Sequence, residues 1–133
     1  MEKITFMKPD GSLDAILYSK IAEEMAVTLG LPHKENRNTK FDRRSQIRKF
    51  YDEVNRLQTI VDGDRSKWKI VEPQLHMLVA KTAYAEGRGL VSRDFSKFIR
   101  ESIEQTDNPD NLRIFGNFFE AFMGFYKLHG PTN

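Results

Sequence analysis

Large apolar side chains at three- and four-residue spacing dominate the C-terminal part of the chain. They are Leu112, Phe115, Phe119, Phe122 and Tyr126. Because an α-helix completes a turn in about 3.6 residues, this spacing places them on one helical face. Asn108 followed by Pro109 is typical of a helix start, and Gly130-Pro131 is typical of a stop. Phe118 and Phe125 widen the apolar surface beyond one stripe, so we expect part of this helix to face a partner chain.

The same periodicity recurs earlier in the chain, and no segment shows the two-residue alternation of a half-buried strand. The other predicted helices span residues 13–29, 42–61, 73–86 and 93–105. Ser12 and Ser92 are the predicted N-caps, and Pro73 is the predicted first residue of the third helix. Gly30 is the predicted left-handed C-terminal cap, with Pro32 blocking continuation. The sequence therefore predicts an all-α, single-domain bundle of about five helices.

The length of the chain, 133 residues, fits one domain with one core. Within it, residues 1–30 hold an extended lead-in, which turns at Pro9-Asp10-Gly11, and helix one. Residues 31–41 are polar, basic and aperiodic, so we expect a flexible linker there. Residues 42–133 form the predicted helical core. A flexible linker would let helix one pack on a neighbouring copy, so we expect a helix-exchanged homodimer when the protein is isolated.

The chain carries few residues suited to catalysis. It has no cysteine, and His33, His76 and His129 stand apart at no metal-ligand spacing. Asp62-Gly63-Asp64 lacks the later ligands of a cation loop, and Gly87-Arg88-Gly89 lacks the rest of a phosphate loop. We therefore expect no enzyme, no bound metal and no cofactor.

No apolar run nears the roughly 20 residues that span a bilayer, so we expect no membrane partner and a cytoplasmic location.

Charge is segregated along the chain. Residues 33–49 carry seven basic and two acidic side chains, a local charge of +5 in a chain whose net charge is +2. Residues 101–120 carry five acidic side chains and one basic one.

Arg44 and Arg48 lie one turn apart with Tyr51 nearby, a composition typical of platforms for single-stranded nucleic acid. A solvated charged face explains the same pattern equally well, because basic clusters are a loose motif.

Three blocks of sequence resemble the small-subunit family of type III-A CRISPR (Csm) effector complexes. Residues 45–57 resemble its signature second helix, and residues 75–88 end in a Lys-x-Ala-Tyr-Ala-x-Gly-Arg pattern similar to its second signature. Residues 118–127 carry an aromatic-Glu-Ala core and a late aromatic-plus-base pair, as the C-terminal helix of the family does. The blocks occur in the family's order. Arg43 and Arg44 stand where the family often has small hydroxylated residues.

The resemblance implies a non-catalytic small subunit of an RNA-guided interference complex. Members of the family stack as several copies into a filament and contact the RNA backbone without reading sequence. The implied partners are single-stranded RNA (CRISPR RNA and target RNA), other subunits of the effector complex and copies of itself. The resemblance and the basic pattern together give these candidate RNA-binding residues: Arg43, Arg44, Gln46, Arg48, Lys49, Lys81, Arg88 and Lys127.

Other interpretations stay open at this level. The chain could be a helical scaffold that binds only proteins, with the basic segment of one copy docking on the acidic residues 101–120 of the next. A small DNA-binding regulator is a weaker alternative, because no tight helix-turn-helix with a base-reading recognition helix is evident. Tyr84 fits either a buried core position or a surface that stacks on bases.

Overall fold

A computed structural model describes residues 2–133, and five α-helices make up most of them. Helix α1 spans Lys20–Glu35, α2 spans Arg44–Gly63, α3 spans Trp68–Gly87, α4 spans Arg93–Glu104 and α5 spans Pro109–His129. Short 3₁₀ turns at Ala15–Tyr18 and Arg65–Lys67 precede α1 and α3. The prediction of an all-α, single-domain bundle is confirmed.

Helix α5 forms the centre of the bundle, packed between α1 and α2 with α4 across its aromatic face. The ring of Phe98 in α4 lies between 5.1 and 6.1 Å, centroid to centroid, from four rings of α5. Those rings belong to Phe115, Phe118, Phe119 and Phe122. Each buried phenylalanine contributes roughly 1.5–3 kcal/mol, and each favourable ring pair adds about 1 kcal/mol. The predicted aromatic stripe is therefore the core itself.

The N-terminal segment covers part of α5 that the sequence left for a partner chain. Phe6 and Phe118 are buried against each other, with ring centroids 6.2 Å apart. The Glu101 carboxylate accepts a hydrogen bond from the main-chain N–H of Ile4 at 2.9 Å. The Gln105 side chain accepts from the N–H of Phe6 and donates to the carbonyl of Ile4, both at 2.8 Å. The Gln105 amide group thus supplies both an acceptor and a donor to the extended N-terminal backbone, as a neighbouring strand would.

The predicted start of the first helix, with Ser12 as its N-cap, is wrong. The Ser12 N–H and hydroxyl both donate to the Asp10 carboxylate, which closes the turn that follows the lead-in. The Asp14 side chain caps the 3₁₀ turn instead, and α1 begins only at Lys20. Local turn chemistry at Asp10 therefore uses the hydroxyl that the sequence pattern assigned to the helix.

The predicted end of the first helix is also wrong, because Gly30 lies inside α1 and not at a left-handed cap. A Cβ atom at Gly30 would meet the main-chain carbonyl oxygen of His129, so glycine permits a close approach of α1 to α5. This packing carries α1 past Pro32 to Glu35, since tertiary contacts outweigh local helix-ending signals. Residues 31–35, which were predicted to be part of the linker, therefore belong to α1.

Helix α3 begins five residues before the predicted start at Pro73. The Asp64 carboxylate caps the 3₁₀ turn by accepting from the N–H of Ser66, and that turn leads directly into Trp68. Val71 is fully buried, so the early turn of α3 is held by packing although Pro73 lacks an N–H. The Ser92 and Asn108 caps of α4 and α5 are confirmed, with side-chain acceptors at 3.1 and 2.9 Å from the capped N–H groups.

Asp42 joins the start of α2 to the rest of the bundle. Its N–H donates to the carbonyl of Leu90 at 3.0 Å, and its carboxylate accepts from the N–H of Ser92 at 2.7 Å. Its own carbonyl accepts from the Tyr126 hydroxyl at 2.6 Å. Asp42 is fully buried with a left-handed backbone, φ 56°. Burial raises the pKa of its carboxyl to about 6, against the effect of the Ser92 hydrogen bond, and burial likewise raises the pKa of Tyr126.

We predict that Asp42→Asn stabilises the protein at neutral and higher pH. Asparagine keeps an acceptor for Ser92, tolerates the left-handed backbone and removes a buried negative charge. A raised pKa means that the folded protein holds this proton more tightly, so wild-type stability is highest below the unfolded-state pKa and falls as pH rises through about 6. The variant should therefore gain about 3 kcal/mol of unfolding free energy near pH 8 and almost none near pH 4. Denaturant titrations at both pH values measure this, and an equal difference at the two would contradict it.

Candidate nucleic-acid interface

The predicted cations of α2 lie on two flanks of its buried stripe. The stripe consists of Ile47, Phe50, Val54, Leu57 and Val61. Helical geometry places Arg44 and Arg48 on one side of this stripe and Gln46 and Lys49 on the other. Arg48 and Lys49 are exposed, whereas Arg44 and Gln46 are half-buried. The helix therefore presents basic side chains to both of its neighbours, α5 and α3.

The first flank adjoins α5, which runs antiparallel to α2. The Tyr126 hydroxyl reaches Asp42 at one end of the pair, and Arg113 contacts Asp62 at 2.7 Å at the other. Lys127, near the end of α5, therefore lies at the same end as Arg44 and Arg48. We call Arg44, Arg48 and Lys127 the α5 flank.

The second flank adjoins α3, which also runs antiparallel to α2. Arg56 of α2 donates to the side-chain oxygen of Gln74 in α3 at 2.7 Å. The pKa of Glu53 is lowered by its hydrogen bond from Arg56 and, to a smaller degree, by the charge of Lys81, which therefore lies across from it. Lys49 is one turn before Glu53 and so faces the C-terminal part of α3. We call Gln46, Lys49, Lys81 and Arg88 the α3 flank.

The two flanks meet at one end of the bundle. This end contains the start of α2 and the ends of α3 and α5, because both neighbours are antiparallel to α2. Lys127 and Arg88 lie at C-terminal helix ends, where the helix dipole favours positive charge. The opposite end carries Asp62 and Asp110, at the end of α2 and the start of α5. We call the first of these the basic end of the protein and the second, where Arg65 and Arg113 also lie, the acidic end.

Ion pairing distinguishes the predicted cations from four other basic residues of the chain, Arg56, Arg65, Lys97 and Arg113. Within residues 2–133, ion pairs join Arg56 to Glu53, Arg65 to Asp110, Arg113 to Asp62, Lys97 to Glu101 and His129 to Glu23. None of the predicted RNA-binding cations has a carboxylate oxygen within 4.0 Å in that range. Lys81 comes nearest to an exception, through its influence on Glu53. The basic end therefore keeps its charge and its hydrogen-bond donors available.

Arg43 differs from the other predicted cations. It is half-buried at the N-cap of α2, and within residues 2–133 its Nε has no hydrogen-bond partner and no contact with solvent. Its charge also contributes to the lowered pKa of His33, which burial lowers most. His33 itself is buried in the last turn of α1, not exposed in a linker. Arg43 is therefore as much a part of the buried region around Asp42 as of the protein surface.

The start of α2 is unusual in its charge. No side chain caps this helix and no acidic residue lies in its first turn. Arg43 and Arg44 instead stand at the positive pole of the helix dipole, where a cation is unfavourable. The uncapped N–H groups and the arginines together favour an anion at this position.

Tyr84 is a surface residue and not part of the core. The residue is 60% exposed, and the Arg88 guanidinium carbon lies 5.7 Å from the centre of its ring. Ile70 and Met77 precede it at seven-residue spacing and are 60% and 54% exposed. The sequence carried this signal, because these three residues fall outside the stripe formed by Leu75 and Leu78.

Two further observations bear on other kinds of site. No group of three or more His, Asp or Glu side chains within residues 2–133 is arranged to hold a metal ion. No helix in the same range combines the length and the apolar composition of a bilayer crossing.

The fold and its surface define a class of small, all-helical proteins with unpaired cations on both flanks of one helix, α2. The family model of Csm2 Type III-A matches residues 18–132, and the chain belongs to this family. It is therefore a small subunit of the type III-A CRISPR (Csm) complex, and its partners are other subunits of that complex. No curated protein and no solved structure matches the chain.

We predict that Arg44→Gln stabilises the isolated protein slightly. Removing a cation from the first turn of α2 relieves its repulsion with the helix dipole, which should raise the free energy of unfolding by roughly 0.3–1 kcal/mol at low salt. The matched control is Arg37→Gln, the same change at an exposed position between α1 and α2. Thermal denaturation of both variants measures the effect. An equal shift in the two variants would contradict a helix-dipole origin.

Proposed function

We propose that this subunit binds the backbone of single-stranded RNA through the basic end of the bundle, without reading sequence and without catalysing a reaction. The observation that supports this is that the cations of the α5 flank and the α3 flank lie around the start of α2 and form no ion pair within residues 2–133, whereas Arg65 and Arg113 at the opposite end are both paired. Phosphate binding needs cations whose donors are not already satisfied, and arginine suits it because its planar fork donates two hydrogen bonds.

The shape of the basic end suits a strand better than a single ion. The α5 flank and the α3 flank lie on either side of α2, so a backbone that crosses the start of this helix meets both. The uncapped N-terminus of α2 adds main-chain donors at the crossing point. Contacts of this kind position a nucleic acid but carry no sequence information.

The proposal extends to the assembly. Because the basic end and the acidic end lie at opposite poles of the bundle, copies can stack head to tail as parts of a filament along the RNA. Part of the acidic end is already neutralised, since Asp62 and Asp110 are paired with Arg113 and Arg65. A strand of phosphates therefore complements the basic end more fully than the acidic end of a second copy does.

We predict that the affinity for single-stranded RNA depends steeply on salt. If about five phosphates are neutralised, affinity should fall roughly 100-fold between about 50 and 200 mM salt. Fluorescence anisotropy with labelled RNA at several salt concentrations measures this slope. Affinity that does not change with salt would contradict binding through charge.

We predict that Arg48→Gln and Lys81→Gln each weaken binding to all RNA sequences alike. Each change should also reduce the slope of log affinity against log salt by roughly 0.7, the loss of one phosphate contact. The matched control is Arg113→Gln, which removes an equal charge that is already paired with Asp62. If the control weakens binding as much as the two test variants, net charge and not the basic end governs affinity.

The competing proposal is a scaffold that binds only proteins. Measurements on the same purified protein distinguish it from RNA binding. The placement of basic and acidic side chains at opposite ends of the bundle favours the scaffold. Under that proposal the protein would self-associate at low salt, dissociate at high salt and leave labelled RNA unbound. RNA binding by the wild type with the slope given above would reject it.

We further propose that α1 exchanges between copies when the complex partners are absent. In a single chain α1 is held on α5 by the close approach at Gly30 and by the Glu23–His129 contact of 2.9 Å. Residues 36–43 connect it to α2, and the same contacts can form between two chains if this segment straightens. Light scattering at high protein concentration should then detect a dimer, and a strictly monomeric profile would contradict the exchange.

A further inference from the structure

The exposed Tyr84 suggests a second kind of contact with nucleic acid. We propose that Tyr84 and Arg88 form a stacking site for an unpaired RNA base, which gives the subunit a preference for single-stranded over duplex RNA that charge alone does not supply. This inference rests on the proposed function, because it assigns a base contact to the same basic end.

The geometry of the pair supports stacking. Arg88 covers part of the Tyr84 ring at 5.7 Å, and the residue nevertheless stays 60% exposed, so much of the aromatic surface is accessible. A guanidinium against an aromatic ring holds both planes in place, since the cation is attracted to the ring face. Tyr84 lies in the last turn of α3, close to the basic end, where its ring can meet a base that has left the strand.

The charges around Tyr84 indicate RNA as its partner. Lys81 precedes it by one turn, Arg88 follows by one turn, and Lys49 faces this part of α3 from α2. Phosphates on both sides of a stacked base would therefore each find a cation. Unpaired bases are available for stacking, whereas bases in a duplex are already stacked and hidden. Base–aromatic stacking tolerates any sequence, because every base has a π-face.

A protein partner would use a different part of the same face. Ile70 and Met77 are also exposed, at seven-residue spacing from Tyr84, and a docking helix would cover all three. Stacking on a base needs Tyr84 and Arg88 but not Met77. The variant Met77→Ala therefore distinguishes the two partners, since it removes exposed apolar surface from the same helix and leaves the Tyr84–Arg88 pair intact.

The experiment compares the wild type with Tyr84→Ala, Tyr84→Phe and Met77→Ala. Affinity is measured for one single-stranded RNA and for the same RNA annealed to its complement, and a fluorescent purine analogue in the single strand reports stacking. We expect Tyr84→Ala to lose roughly 5- to 150-fold for the single strand, with an unchanged salt slope and no quenching of the analogue. Duplex binding should stay the same, and Tyr84→Phe and Met77→Ala should behave like the wild type.

The outcomes separate this proposal from the one on which it rests. If Tyr84→Ala binds as tightly as the wild type while Arg48→Gln is weakened, the stacking site is wrong and the backbone-binding function stands. If Met77→Ala loses as much affinity as Tyr84→Ala, the whole apolar face acts together and the stacking site is again wrong. If the wild type does not bind single-stranded RNA, both proposals fail. Because Tyr84 is exposed, its variants should keep the unfolding midpoint of the wild type, which a thermal scan checks.

Discussion

The fold depends on the packing of Phe98 from α4 against the phenylalanine rings of α5. This cluster makes α5 a central helix, enclosed by α1, α2, α4 and the N-terminal segment. Because the core occupies the middle of the bundle, charged side chains are confined to helix flanks and helix ends. The antiparallel arrangement of α2 with α3 and α5 then brings the start of α2 and the ends of its neighbours together. The basic end is thus a consequence of how the aromatic core is enclosed.

The buried hydrogen bonds of Asp42 hold the basic end in position. A fully buried carboxyl group with a left-handed backbone is unfavourable, and one of its oxygens, Oδ2, has no hydrogen-bond partner within residues 2–133. Its main-chain and side-chain hydrogen bonds nevertheless fix the start of α2 against the turn before α4 and the end of α5. Arg44 follows at a position where the helix dipole disfavours it. The proposed RNA-binding role would account for two unfavourable choices at one place.

The sequence predicts those parts of the fold that local signals decide. The α5 stripe, the course of α2 and the caps at Ser92 and Asn108 are all confirmed, because their signals agree with the packing. The bounds of α1 are wrong because Gly30 serves a close approach between helices, which local sequence cannot distinguish from a helix end. The start of α3 is wrong because the buried Val71 extends the helix ahead of Pro73.

The candidate site is less predictable than the fold. Its residues follow from charge pattern and family resemblance, but their pairing state depends on which helices are neighbours. Arg56 pairs with Glu53 within α2, but Arg65 and Arg113 meet Asp110 and Asp62 of other elements only because the fold brings them together. Tyr84 falls outside the stripe formed by Leu75 and Leu78, but the sequence does not decide whether another element covers that side of α3. The separation of paired from unpaired cations is a tertiary property.

An NMR titration of isotope-labelled full-length protein with single-stranded RNA would locate the RNA-binding surface, which we place at the basic end. We expect shifts to concentrate in the backbone amides of residues 44–49 and 81–88 and at the end of α5, and in the side-chain Nε–H of Arg44 and Arg48. The side-chain signals of Arg56, Arg65 and Arg113 should stay in place. Shifts confined to those paired arginines or to α1, or no shifts at all, would contradict the account.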